Sequence, residues 1–86
     1  MTMIKIKKHA YNKQADATYF EFSDRKVYKT KEVKEGIIVD YDKDGLLVGV
    51  EVLNAKNKRV SFGFVIPKKE IEFSAGREKL RLPAFV

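Results

Sequence analysis

Apolar and polar residues alternate with a period of two along most of the chain, and sustained helical periodicity is hard to find, a pattern that predicts strands. Ile4 and Ile6 alternate with Lys5 and Lys7 in a first strand, and Thr18, Phe20 and Phe22 alternate with Tyr19 and Glu21 in a second. The linker AYNKQADA between them is polar and turn-forming. Ser23 and Asp24 make a tight turn into KVYKTKEV, whose lysines share one face as they would on an edge strand, and Glu35 and Gly36 end it.

GIIVDYD and LLVGVEVLN form the clearest hairpin, and its loop length fixes the register. A three-residue loop pairs Asp42 with Leu46, sets Ile37 against Glu51 and Asp40 against Val48, and mixes polar with apolar on both faces. A two-residue turn at Asp44-Gly45 instead stacks Tyr41 on Val48, Val39 on Val50 and Ile37 on Val52; a four-residue loop separates the faces equally well. An even-length loop is therefore expected, with a type I′ turn at Asp44-Gly45 preferred. Beyond Asn54, NAKNKR reads as a loop or one helical turn. RVSFGFVIP follows as a strand with Val60, Phe62, Phe64 and Ile66 on one side, stopped by Pro67. KEIEF reads as another strand, and REKLRLPAFV as an extended tail whose apolar end needs a docking surface.

The hairpin also carries a metal-binding pattern. Asp40, Asp42, Asp44, Gly45 and Glu51 fill the D-x-D-x-D-G-x5-E positions of a calcium-binding EF-hand loop. That loop must join two helices so that its last Glu folds back onto the ion, whereas both flanks here are β-branched strands. On a strand rising roughly 3.3 Å per residue, Glu51 lies about 20 Å beyond Gly45. Glu51 cannot close the site, and the aspartates and glycine are accounted for by a tight turn and a polar strand face. What survives of the metal reading is a loose surface cation site at Asp42 and Asp44.

Composition narrows the remaining chemistry. The chain has 86 residues and no cysteine, so disulfides, thiolate metal sites and thiol nucleophiles are excluded. A chain of this size buries only about 60% of its unfolded surface, so its stability margin is thin without such staples, and pairing with a second copy or another protein is one way to add buried area. The net charge of +6 is uneven. Gly36 to Ala55 holds four carboxylates against Lys43, which leaves the rest of the chain strongly basic. Met1 to Ala10 alternates Lys with Ile and builds no signal-peptide core, and apolar runs are short, so a cytoplasmic, untargeted protein is expected.

SFGFV shares its F-G-F-V centre with the aromatic strand of RNA-recognition domains, and a similar run occurs in cold-shock barrels. Val60 and Ser61 stand where that motif wants a basic residue and glycine, Pro67 stands where it wants an aromatic, and the two helices are missing. Phe62 and Phe64 share parity with Val60 and Ile66, as in a core strand, which is the preferred reading; the alternative makes Phe62, Phe64, Lys58 and Arg59 nucleic-acid contacts. The clusters KIKKH, RKVYKTK, KNKR and PKK are diluted by Glu21, Glu32, Glu35 and Glu70 and read as solvated faces. His9 is the only histidine and shows no partner that would make it a base or ligand. No glycine-rich phosphate loop and no Ser/His/Asp set can be assembled, so no catalytic, cofactor-binding or metal residues are assigned.

ADATYFEFSD, TKEV and GIIVDYDKDGLLVGVEVLNA together resemble a widespread prokaryotic family of short proteins, catalogued as domain of unknown function two-two-eight-three. Ala15, Asp16, Ala17 and Tyr19 match its A-D-A-x-Y strand. Thr30, Glu32 and Val33 match its T-x-E-V segment, and Gly36 through Ala55 match its G-x-x-V-D-Y-D-x-x-G-x-x-V-G-x-E-V-L-x-A run. The resemblance implies a small antiparallel β domain and brings no activity or catalytic residues. Family members often end soon after the hairpin, and Lys56 to Val86 departs from that.

The expectation is thus a mainly β chain, a small antiparallel meander, partly closed or two-layered, with at most one short helical turn. It forms one domain over residues 1–86, with a family-like core over 15–55 and additional strands and an extended tail over 56–86. Functionally it reads as a non-enzymatic interaction module without cofactors. Its strand edge or apolar tail would pair with itself or a small protein partner, away from membranes. The alternative is a nucleic-acid-binding or regulatory protein, such as the partner component of a toxin–antitoxin-like gene pair.

Overall fold

The computed structural model describes residues 6–65 and 68–84. Eight strands run β1 Lys8–Asn12, β2 Ala17–Glu21, β3 Lys29–Lys34, β4 Ile37–Tyr41, β5 Leu47–Leu53, β6 Val60–Val65, β7 Glu70–Ala75 and β8 Glu78–Pro83, with one 3-10 turn at Ala55–Asn57. They form two antiparallel sheets rather than a closed barrel: a five-stranded sheet ordered β1-β2-β5-β4-β3 and a three-stranded meander β6-β7-β8.

One apolar cluster lies between the sheets. Phe20, Ile37, Val39, Val50 and Val52 enter it from the larger sheet, and Ile71, Phe73, Ala75 and Leu82 from the smaller. The alternation that predicts strands also selects these residues, because side chains two apart share a face. Phe73 has no exposed surface, and it packs edge-on against Phe20 at 6.0 Å between ring centroids. Burying such a side chain is worth about 1.5–3 kcal/mol.

The β4–β5 hairpin corrects the expected loop. Asp42 N–H donates to the Leu46 carbonyl at 2.9 Å and Gly45 N–H to the Asp42 carbonyl at 3.0 Å, so the loop is the three residues Lys43, Asp44 and Gly45. A type I′ turn needs positive φ at both central residues, but of this pair only Gly45 has it, at 79°. The faces stay separated because Val48 is an extra residue: Tyr41 pairs with Leu47, Asp40 with Gly49, Val39 with Val50 and Ile37 with Val52. This β-bulge absorbs the odd residue of the loop and returns both strands to apolar-inward parity. The Val48 carbonyl turns to the other side, where it accepts the N–H groups of Phe22 at 2.8 Å and Ser23 at 3.2 Å.

Three other boundaries differ. The first described strand begins at Lys8 and takes in the start of the expected linker; Ile4 lies outside the described residues, and Ile6 packs against the core ahead of β1. β3 begins at Lys29; the segment before it is held by the Tyr28 N–H, which donates to the Tyr41 carbonyl at 2.8 Å, and by side chains. Ser23 Oγ accepts the Arg25 N–H at 3.0 Å, and Arg25 reaches across to Asp42. The tail is a true strand, β8, with Leu82 and Ala84 buried in the chain's own core. Ile66, Pro67, Phe85 and Val86 lie outside the described residues.

The bare edge of β6 and the polar face of the larger sheet

Among the described residues the two sheets have four edge strands: β1, β3, β6 and β8. Edge strands invite further pairing unless lysine, proline or a bulge blunts them. β1 carries Lys8, β3 carries Lys29, Lys31, Lys34 and a bulge at Val33, and β8 carries Lys79, Arg81 and Pro83. β6, VSFGFV, carries no charge and no proline. Among the described residues it has a strand partner on one side only, β7.

The ladder phase follows from one bond. Gly76 N–H donates to the Arg59 carbonyl at 2.9 Å, and the β6–β7 register continues as Ser61↔Ser74, Gly63↔Glu72 and Val65↔Glu70. Antiparallel strands alternate bonded and non-bonded pairs, so Ser61, Gly63 and Val65 bond to β7 while Val60, Phe62 and Phe64 turn their N–H and C=O groups outward.

Phe62 and Phe64 do take the core side of β6, beside the buried Phe73 and Ile71. They are nonetheless 40% and 45% exposed, because β6 is the last strand of its sheet. Phe62 rests edge-on against Phe22 at 5.5 Å and Phe20 at 6.2 Å. Lys58 has the same parity but is tied down, its ammonium donating to the Leu53 carbonyl at 2.8 Å. Arg59 is exposed and of opposite parity. Of the four residues considered for nucleic acid, the structure therefore brings together Phe62 and Phe64, without Lys58 or Arg59.

Below Val60, a hollow of about 250 Å³ is lined in part by His9, Tyr11 and Lys56. Here His9 has partners that sequence reasoning missed: its ring stacks on Phe20 at 4.7 Å, and Nε2 lies 2.6 Å from Thr18 Oγ1. The β1–β2 register puts His9 opposite Phe20, which the chain's alternation alone could not show.

The aspartates of the metal pattern all have other partners or stand apart. Asp42 is buried; its Oδ1 accepts the N–H groups of Asp44 at 2.8 Å and Leu46 at 2.9 Å, and Oδ2 accepts Arg25 Nε at 2.6 Å. The two turn N–H groups, and the Arg25 guanidinium, hold its carboxyl below the usual carboxylate range. Arg25 thus takes the place beside Asp42 that a loose surface cation would need. Asp44 is exposed. Glu51 pairs with Ile38 and Tyr19 far along β5, on the outer face.

That outer face holds a second polar arrangement. Tyr19 extends from β2 across Gly49 of β5 and donates its hydroxyl to Asp40 Oδ2 on β4 at 2.8 Å. Thr30 Oγ1 on β3 donates to the other oxygen, Oδ1, at 2.6 Å. Burial first, and then the Asp40 bond with the charges of Asp40, Glu21 and Glu51, push the Tyr19 phenol well above its ordinary value. Tyr19, Thr30, Asp40, Gly49 and Glu51, which belong to the three segments carrying the family resemblance, all fall on this one face. Its hydrogen bonds tie β2, β4 and β3 together across β5, an arrangement that orders the sheet.

These features define a two-sheet antiparallel β protein with, among the described residues, one undefended edge. The family described as "Protein of unknown function (DUF2283)" matches residues 8–56, more than half of the chain, and the chain belongs to that family. The match spans the whole five-stranded sheet and ends at the 3-10 turn that leads to the second sheet. No curated protein and no solved structure matched the chain. Among the described residues, no helix is long and apolar enough to cross a membrane.

Proposed function

We propose that the chain is a non-enzymatic cytoplasmic interaction module that works by strand pairing at β6, with itself or with a protein partner. The observation that carries this is the contrast between edges: β1, β3 and β8 are defended by charge, bulge or proline, and β6 presents outward backbone groups beside two half-exposed phenylalanines. An edge kept bare in a soluble domain is an aggregation hazard unless something pairs with it. The tail route to pairing is less well supported, since Leu82 and Ala84 are used internally.

The test is amide hydrogen exchange of Val60, Phe62 and Phe64, with sedimentation over a range of concentrations. Slowed exchange of these three amides, in a concentrated homo-oligomer or on addition of strand-forming peptides, supports the module. A monomer whose β6 amides exchange freely in every mixture refutes it.

One observation favours a second reading: Phe62 and Phe64 are exposed enough to stack on bases, and His9, Tyr11 and Lys56 lie close by in the hollow under Val60. A nucleic-acid-binding or regulatory protein, such as one component of a toxin–antitoxin-like pair, would hold single strands this way. It requires retention of an oligonucleotide that weakens with salt and with Phe62→Ala or Phe64→Ala.

A further inference from the structure

We infer that the occupant of the β6 edge is an extended, alternating apolar segment of a partner protein with acidic residues at its ends, and not a second copy of this chain. The inference rests on the interaction-module reading and names the partner's chemistry.

Backbone geometry fixes the form of the ligand. Three consecutive outward positions, Val60, Phe62 and Phe64, offer their N–H and C=O groups along one line, which an added antiparallel or parallel strand can satisfy. The side chains fix its alternation. On the core side, an added strand lies against the exposed parts of Phe62 and Phe64, so its residues there must be apolar. On the other side it lies against Ser61 and Gly63, where a Cβ on the glycine would meet nothing within 4 Å, so small or polar residues suit that face.

Charge decides between a copy and a different partner. β6 is bracketed by exposed cations: Lys56 and Arg59 lead into it, and Lys68 and Lys69 follow it. Glu70, paired with Val65, is the carboxylate at that end. A second copy paired antiparallel about Phe62 brings the leading cations of one chain to the trailing cations of the other, and a parallel copy brings like ends together. Either way cations meet cations at both ends of a short strand, and the chains carry +6 each. An acidic-ended strand instead meets opposite charge at both ends, which raises its rate of encounter and selects it against neutral strands.

The probes are three synthetic nine-residue peptides with the same Val-Thr-Val-Thr-Val centre, flanked on each side by two glutamates, two serines or two lysines. Binding to the full chain is followed through the amide shifts of Val60, Phe62 and Phe64, at salt from about 50 mM to about 500 mM, a range over which the Debye length falls severalfold. The expected result is binding of the glutamate peptide about tenfold tighter than the serine peptide at low salt, with the advantage shrinking as salt rises. A glutamate peptide methylated on the amides that face β6 should not bind, and Phe64→Pro should lose binding. That substitution removes an outward N–H and leaves the Gly63 and Val65 bonds to β7 in place. The methylated peptide keeps the test valid if the proline variant fails to fold. Equal binding of all three peptides overturns the acidic partner and leaves the module standing. Dimerisation that strengthens with salt overturns it in favour of a second copy, and absence of both peptide binding and self-association overturns the inference and the module together.

Discussion

The Tyr19 ring crosses Gly49 so closely that no Cβ fits beneath its hydroxyl, and only by that passage does it reach Asp40. A glycine in the middle of a central strand weakens the strand unless something approaches its backbone, and here the phenol does. Gly49→Ala should displace Tyr19, break the bond to Asp40 and cost about 2 kcal/mol through overpacking and the lost hydrogen bond. Urea denaturation measures this. Tyr19→Ala clears the space, so Gly49→Ala should cost far less in that background; additive losses would show that the two residues do not act as a pair.

The same contact makes stability sensitive to high pH. The Tyr19 phenol is raised in the folded state, so its contribution is complete below the unfolded value of about 10 and is lost as pH rises toward the folded one. Denaturation midpoints should therefore fall above about pH 10, and Tyr19→Phe should flatten the fall. In a spectrophotometric titration, Tyr19→Phe should remove a phenol that ionises late.

Asp42 gives the opposite dependence. Its carboxyl is lowered in the folded state, so the stabilisation is present above the unfolded value of about 3.9 and is lost as pH falls through the folded value. Wild-type stability should decline in this acid window, and Asp42→Asn should decline less steeply. Asparagine keeps an oxygen for the Asp44 and Leu46 N–H groups but loses the charge facing Arg25. Asp42→Ala removes both and should be the less stable of the two at neutral pH. Equal acid slopes in wild type and Asp42→Asn would place the titration elsewhere.

Local pattern encodes the faces of these strands but not how the strands are ordered. Ile37, Val39, Val50 and Val52 were legible as one buried face because period-two alternation carries that information along the strand. The loop length was not, since parity constrains the loop and any bulge together, and a three-residue loop with Val48 bulged satisfies it as well as an even loop. Tyr19, Gly49 and Asp40 each matched the family pattern, but their meeting depends on how β2, β5 and β4 are ordered, which no local pattern encodes. The lack of charge in VSFGFV was visible and reads as a core strand; that it is an edge is a fact of topology. The partners of His9 are hidden from the sequence for the same reason, because they come from the strand paired beside it.

Phe62 and Phe64 should separate in a way that a simple core strand does not allow. They differ little in exposure, yet Phe62 touches the rings of Phe20 and Phe22, and among the described residues Phe64 stacks on none. Edge-on aromatic pairs add about 0.5–1.5 kcal/mol to area burial, so Phe62→Ala should cost about 2 kcal/mol and Phe64→Ala about 1 kcal/mol. Chemical denaturation of the two variants gives the comparison. Lysine sharpens it: Phe64→Lys keeps an aliphatic stem over the core margin and a head in water, and should remain folded while blunting the edge as lysine does in β1, β3 and β8. A Phe64→Lys chain that unfolds would make Phe64 a core residue, and the bare edge of β6 an accident of packing rather than a place for another strand.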